Sequence, residues 1–113
     1  MSNDNASPLT FDAALDAFVA KIDAVHQAYN DSKRNIFPEG YYEKIVLEPG
    51  SRFIRVVHGC NGSRSVYCFV EKGTGNILKG AGWKAPAKGA RGNIFNPETY
   101  AAADCNTGWL YRR

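Results

Sequence analysis

The strongest constraint in this chain is a change of hydrophobic period near residue 40. Before it, Phe11, Leu15, Phe18, Ile22, Val25 and Tyr29 recur at spacings of 4, 3, 4, 3 and 4. Those spacings stack the six side chains along one helical stripe. Ala13, Ala14, Ala17, Ala20 and Ala24 add helix propensity. Asp16, Lys21 and Asp23 mark the opposite, solvated face. Ser7 or Thr10 supplies the cap, and Asp12 and Asp16 suit the positive end of the helix dipole. The pattern predicts one amphipathic helix over residues 10–31. Its stripe must be buried, by default against a sheet of the same chain. A helix–helix homodimer is the alternative, because the period also fits a short coiled coil.

After Gly40 the period becomes two. Residues 41–48 read as a first strand, with Tyr42, Lys44, Val46 and Glu48 on one face and Tyr41, Glu43, Ile45 and Leu47 on the other. Pro49-Gly50 carries a type II turn signature. Residues 52–58 form a second strand, Asn61-Gly62 a hairpin turn, residues 65–71 a third strand, and residues 76–81 a shorter fourth. With Asn61 and Gly62 at the centre of the turn, Cys68 falls opposite Arg55. Consecutive strands on tight turns make an antiparallel meander, with the apolar second and third strands central. The expected fold is therefore α+β, an N-terminal amphipathic helix packed on a four-stranded antiparallel meander over residues 40–82.

Beyond the sheet the pattern fails. Residues 83–95 combine cations, small residues and breakers and are expected to be a basic loop. Asn96-Pro97-Glu98 opens a short helix within residues 96–113, followed by a tail in which Trp109 and Tyr111 could dock. The 113 residues suffice for a single domain, with residues 1–9 flexible. No run approaches the ~18 apolar residues of a membrane span, so no membrane partner is expected. The opening Met1-Ser-Asn-Asp-Asn lacks the basic and apolar regions of a secretory signal.

Charge is distributed unevenly. The net charge is +3, yet residues 1–32 carry five Asp against Lys21 alone, and the remainder is strongly basic. From Lys72 to Pro97 there are Lys72, Lys79, Lys84, Lys88 and Arg91 and no acid. A field of one sign favours an anionic partner; a solvated surface offsetting the acidic helix is the plainer use of the same charges.

The segment Gly82-Trp-Lys-Ala-Pro-Ala-Lys-Gly-Ala-Arg-Gly-Asn-Ile-Phe, preceded by Val66-Tyr-Cys-Phe-Val-Glu-Lys-Gly-Thr-Gly-Asn-Ile-Leu-Lys, resembles a group of short uncharacterised tailed-bacteriophage proteins that share W-K-x-P-A-K-x-A-R-G-N. The likeness covers roughly residues 65–95. It implies a viral origin and a functional reason for the basic segment, and it supplies no catalytic residues.

Other constellations carry less. His58, Cys60, Cys68 and Cys105 could form a Cys3His zinc site, but His58-Gly-Cys60 is too tight and Cys68 sits in an apolar strand. The expectation is three free thiols and no metal. Cys60 and His58 share a strand face, yet no third group is signalled to orient them as a nucleophile pair. Glu43 and Glu71 form no paired-carboxylate motif. Gly73-Thr-Gly75 precedes a strand and so reads as a hairpin turn, not a phosphate loop. Gly80-Ala-Gly82 permits close backbone approach. No catalytic residue and no cofactor is expected.

What remains is the segment 79–91. Lys79, Trp83, Lys84, Lys88 and Arg91, with Arg112 and Arg113, are the candidate anion-binding residues. Cations among small residues leave backbone N–H groups open to phosphate, and Trp83 is the aromatic most suited to a binding surface. The reading is a small non-enzymatic protein that binds DNA or RNA through the nucleic-acid backbone, in a host cytoplasm. The alternative is a protein–protein effector or virion component that docks on an acidic host or phage protein.

Overall fold

A computed structural model describes residues 10–33, 36, 42–60, 62–103 and 108–111. One helix, α1 (Phe11–Ser32), precedes five strands: β1 (Tyr42–Pro49), β2 (Phe53–Cys60), β3 (Ser63–Glu71), β4 (Asn76–Gly80) and β5 (Pro86–Asn93). Single 3-10 turns follow at Pro97–Tyr100 and Gly108–Tyr111. The strands pair antiparallel in the order β1-β2-β3-β4-β5. The α+β meander is as expected, with five strands in place of four.

α1 starts where Thr10 Oγ1 accepts the Ala13 N–H at 3.1 Å, satisfying one of the orphan donors of the first turn. Phe18 and Ile22 are fully buried against Val56, Cys68 and Val70 of the central strands. The buried line then departs from the apolar stripe. It runs Ala14, Phe18, Ile22, His26, Asn30, in steps of four, while Val25 and Tyr29 are only half-buried. Two polar side chains thus enter the core. Asp23, on the flank of the helix, accepts the Ile45 N–H at 2.8 Å. A bulge between Glu43 and Val46 interrupts the β1–β2 register around that residue.

The expected loop 83–95 is largely strand. Pro86 occupies the first position of β5, where its missing donor is harmless. β5 pairs with β4 through Asn76↔Asn93, Ile77↔Gly92, Leu78↔Ala90 and Gly80↔Pro86. Extra residues are accommodated by bulges at Arg91 and at 87–89, where Gly89 takes φ +92. The Asn93 side chain secures the end of the strand by donating to Thr74 O at 2.9 Å and Asn76 Oδ1 at 3.0 Å. The strand is therefore held by backbone pairing and bulges, which its side chains do not announce.

Three smaller expectations are also corrected. Cys68 lies opposite Val56, and Arg55 opposite Phe69, because Tyr67 is an extra residue in a β3 bulge. Such a bulge turns two successive side chains the same way, and both Tyr67 and Cys68 enter the core. Gly50 does not adopt positive φ, so the Pro49-Gly50 turn is not type II; it closes by Gly50 N–H donating to Phe53 O at 2.8 Å. The short helix after Asn96 is a single 3-10 turn, and the Asn96 side chain makes no capping bond. Gly62, at φ +87, fits the hairpin between β2 and β3. Asn61, the expected flexible segment 1–9, Cys105, Arg112 and Arg113 lie outside the described residues.

The C-terminal segment completes the inner layer. Tyr100 packs edge-on against Phe18 at 5.0 Å. Trp109 and Leu110 are buried, and Trp109 Nε1 donates to the Tyr67 hydroxyl at 2.7 Å. No helix among the described residues is long and apolar enough to cross a membrane.

Candidate functional site

With Ile54, Val56 and Val70 turned to the helix, alternation turns Phe53, Arg55, Val57 and Phe69 to the other side of the sheet. A cationic cluster is built on that outer face. Glu48 receives two arginines from neighbouring strands: Arg55 Nη1 donates to Oε1 at 2.6 Å, and Arg64 Nη2 to Oε2 at 2.5 Å. These hydrogen bonds, from Arg55 first and Arg64 second, hold the Glu48 carboxyl below the usual range. Trp83 lies against both guanidiniums. Their carbons stand 4.7 Å (Arg55) and 5.4 Å (Arg64) from its ring centroid. Arg55 Nε also donates to the Trp83 carbonyl at 2.8 Å. The 81–85 loop that carries Trp83 is itself closed, since the Ala81 and Gly82 N–H groups both donate to Ala85 O.

The arrangement leaves positive charge in excess. Each guanidinium carries five N–H donors, and one carboxylate serves two of them. Lys79 and Lys84 stand at the margins. A cleft of about 360 Å³ runs beside the stack, lined by Arg64, Val66, Lys79, Gly80, Gly82 and Trp83 among others. A second depression, of about 390 Å³, is lined by Glu48, Arg52, Arg55, Phe69 and Lys84 among others. Arg52 is paired with Glu71 through its Nη2 at 2.8 Å.

Of the sequence-derived candidates, Lys79, Trp83 and Lys84 come together around this stack. Lys88 and Arg91 do not line the cleft. Lys88 is exposed on the bulged edge strand, where lysine also discourages edge-to-edge pairing. Arg91 is half-buried, and its Nε is buried without a hydrogen-bond partner among the described residues. Arg55 and Arg64 were not among the sequence candidates. Their signal was present: Arg55 interrupts the apolar run Phe53-Ile-Arg-Val-Val, as an outward-facing residue of a central strand must.

The second polar cluster is internal. His26 Nδ1 lies 2.8 Å from Ile22 O. A carbonyl only accepts, so that nitrogen carries the proton. His26 Nε2 is 3.2 Å from His58 Nδ1. In the neutral pair His58 must then donate from Nδ1, and both tautomers follow. The His58 ring packs edge-on to Tyr67 at 5.2 Å. Burial, and then the neighbouring His26, push the His58 pKa down from 6.5 to about 4. Cys60 is half-buried and Cys68 buried, both as free thiols; burial pushes the Cys68 thiol up, which disfavours the thiolate a metal would need. Among the described residues no group of three or more His, Cys, Asp or Glu is placed to hold a metal ion.

The chain belongs to DUF7717, a family of unknown function, whose profile spans residues 5–112. No curated protein and no solved structure matches it.

Proposed function

We propose that this member of the family is a small non-enzymatic module that binds an anionic partner, foremost a nucleic-acid backbone, on the outer face of its sheet. One observation carries the reading: Arg55 and Arg64 are held against Trp83 while sharing the single carboxylate of Glu48, with Lys79 and Lys84 beside them. Guanidiniums fixed in place by stacking and pairing lose less entropy when they meet a phosphate than free side chains do. Backbone contacts of this kind give affinity with little sequence preference. The likeness of residues 65–95 to short tailed-phage proteins supports a viral setting and a host cytoplasm for the encounter. Lys88 and Arg91, and the C-terminal Arg112 and Arg113, extend the basic surface in this proposal.

The test is binding to DNA and RNA by fluorescence anisotropy across a salt series. Each neutralised phosphate contributes about −0.9 to the slope of log K against log salt on duplex DNA. Arg64→Ala with Lys84→Ala is expected to reduce the magnitude of that slope by about 1–2. Lys88→Ala with Arg91→Ala is expected to change it less, because those side chains lie away from the stack. If the parent protein binds neither nucleic acid at low salt, the reading fails. Retention on an acidic protein column under the same conditions would then favour a host or virion protein as the partner.

A further inference from the structure

We infer that the cleft between β3 and β4 receives one unstacked nucleobase, which makes the preferred ligand single-stranded. The inference rests on the proposed function and narrows its ligand class. β3 and β4 are registered at only two positions, Phe69↔Leu78 and Val70↔Ile77. Beyond them the strands part, with residues 64–67 on one side and 79–83 on the other, and the cleft of about 360 Å³ occupies the gap. Its apolar contacts come from Val66, Tyr67 and Leu110, and its cations from Arg64 and Lys79. An apolar slot with a cationic margin suits a base carrying its own phosphate: the ring displaces water from the slot while the phosphate meets Arg64 and Lys79.

The wall on the β4 side explains Gly80-Ala81-Gly82. A Cβ at Gly80 would stand 3.1 Å from Val66 Cγ1, so a side chain there would crowd the β3 wall. Gly82 also lines the cleft, and a Cβ there would meet nothing within 4 Å outside its chain neighbours. A paired, stacked base could not enter without first leaving its duplex, a cost a single strand does not bear.

The experiment compares a short single-stranded oligonucleotide, the duplex of the same length, and a single strand with abasic sites in place of bases, at one salt concentration. The parent protein is expected to bind the single strand about tenfold more tightly than the abasic strand, which keeps every phosphate and lacks the ring. Gly82→Leu adds a bulky side chain to a residue that lines the cleft, at a position without positive φ and without a clash at Cβ, and is expected to remove about that same tenfold from single-strand binding while leaving duplex binding unchanged. The thermal midpoint of this variant shows whether it is folded, and the abasic comparison needs no variant at all. Equal binding of normal and abasic strands overturns the inference, as does an equal loss on single strand and duplex in Gly82→Leu; in both cases the backbone reading survives. Absence of all binding by the parent defeats the backbone reading as well.

Discussion

Acid should weaken this fold through one histidine. His58 joins β2 to α1 through the 3.2 Å contact with His26, which is itself 1% exposed. Taking up a proton at its remaining ring nitrogen, Nε2, puts a charge in a poorly solvated place beside His26, although the Nδ1–H donation to His26 is kept. The folded pKa of about 4 lies below the ordinary 6.5, so between those values the unfolded chain binds the proton and the folded one does not. The contribution is fully present above 6.5, declines as pH falls toward 4 and is gone below that. The interval would correspond to about 3.4 kcal/mol for a sealed site. His58 is partly open to water, and screening reduces the expected loss to ~1–2 kcal/mol. Urea unfolding at pH 7.5 and 4.5, for the parent and for His58→Asn, measures it. Asn is neutral at both values, so the carboxylates, common to both proteins, cancel in the difference. If the two proteins lose equal stability between the two pH values, the histidine contact is not the acid-sensitive element.

Three further perturbations test the packing. Phe18→Ala removes a fully buried ring from beneath Tyr100, and should cost about 3–5 kcal/mol in denaturant unfolding; an unchanged midpoint would mean the helix does not pack on the sheet in the monomer. Gly75→Ala places a Cβ 2.8 Å from Phe95 Cε2 at φ +78, and should lower stability by about 1–3 kcal/mol through strain, read as a fall in the thermal midpoint. Tyr67→Phe keeps the ring but removes the hydroxyl that accepts from Trp109 Nε1, and should cost about 1–2 kcal/mol, with a loss of no more than a few tenths arguing that water satisfies the indole N–H instead.

How much of this was legible in the sequence depends on what each element is made from. The helix and the first four strands advertise themselves because side chains do the work: Phe18 and Ile22 keep the helical spacing, and Val56 and Cys68 stand on apolar strands. β5 is different. Pro-Ala-Lys-Gly-Ala-Arg-Gly-Asn contains no β-branched or aromatic residue, so its strand identity comes from backbone bonds to β4 and from bulges that absorb the misfit. The rotation of the helix is a subtler case. The apolar spacing predicts burial of Val25 and Tyr29, whereas the pairing of His26 with His58, a contact across 32 residues, rewards burial of His26 instead. Tertiary partners of that kind are invisible to periodicity. The Tyr67 bulge is equally silent, since its turn residues alone would put Arg55 opposite Cys68.

The same logic explains why the site was only half visible. Lys79, Trp83 and Lys84 drew notice because they sit in an acid-free stretch, while Arg55 and Arg64 are scattered among strand residues and meet Trp83 only through the fold. A sheet covered by one helix and a short tail has a second face to close, and no helix lies there among the described residues. Val57 and Phe69 on that face are nevertheless 1% and 3% exposed. Phe53 stands edge-on to Phe69, and Trp83 lies over Arg55 and Arg64 on the same face. Trp83 therefore serves as part of the roof over the outer face and as the wall of the cleft at once, at 41% exposure. Removing it would release Arg55 and Arg64 from their stack as well as any ring that packs on it, so a loss of binding in Trp83→Ala would not separate the two roles. Removal of the base from the ligand leaves the roof in place and acts on the cleft alone.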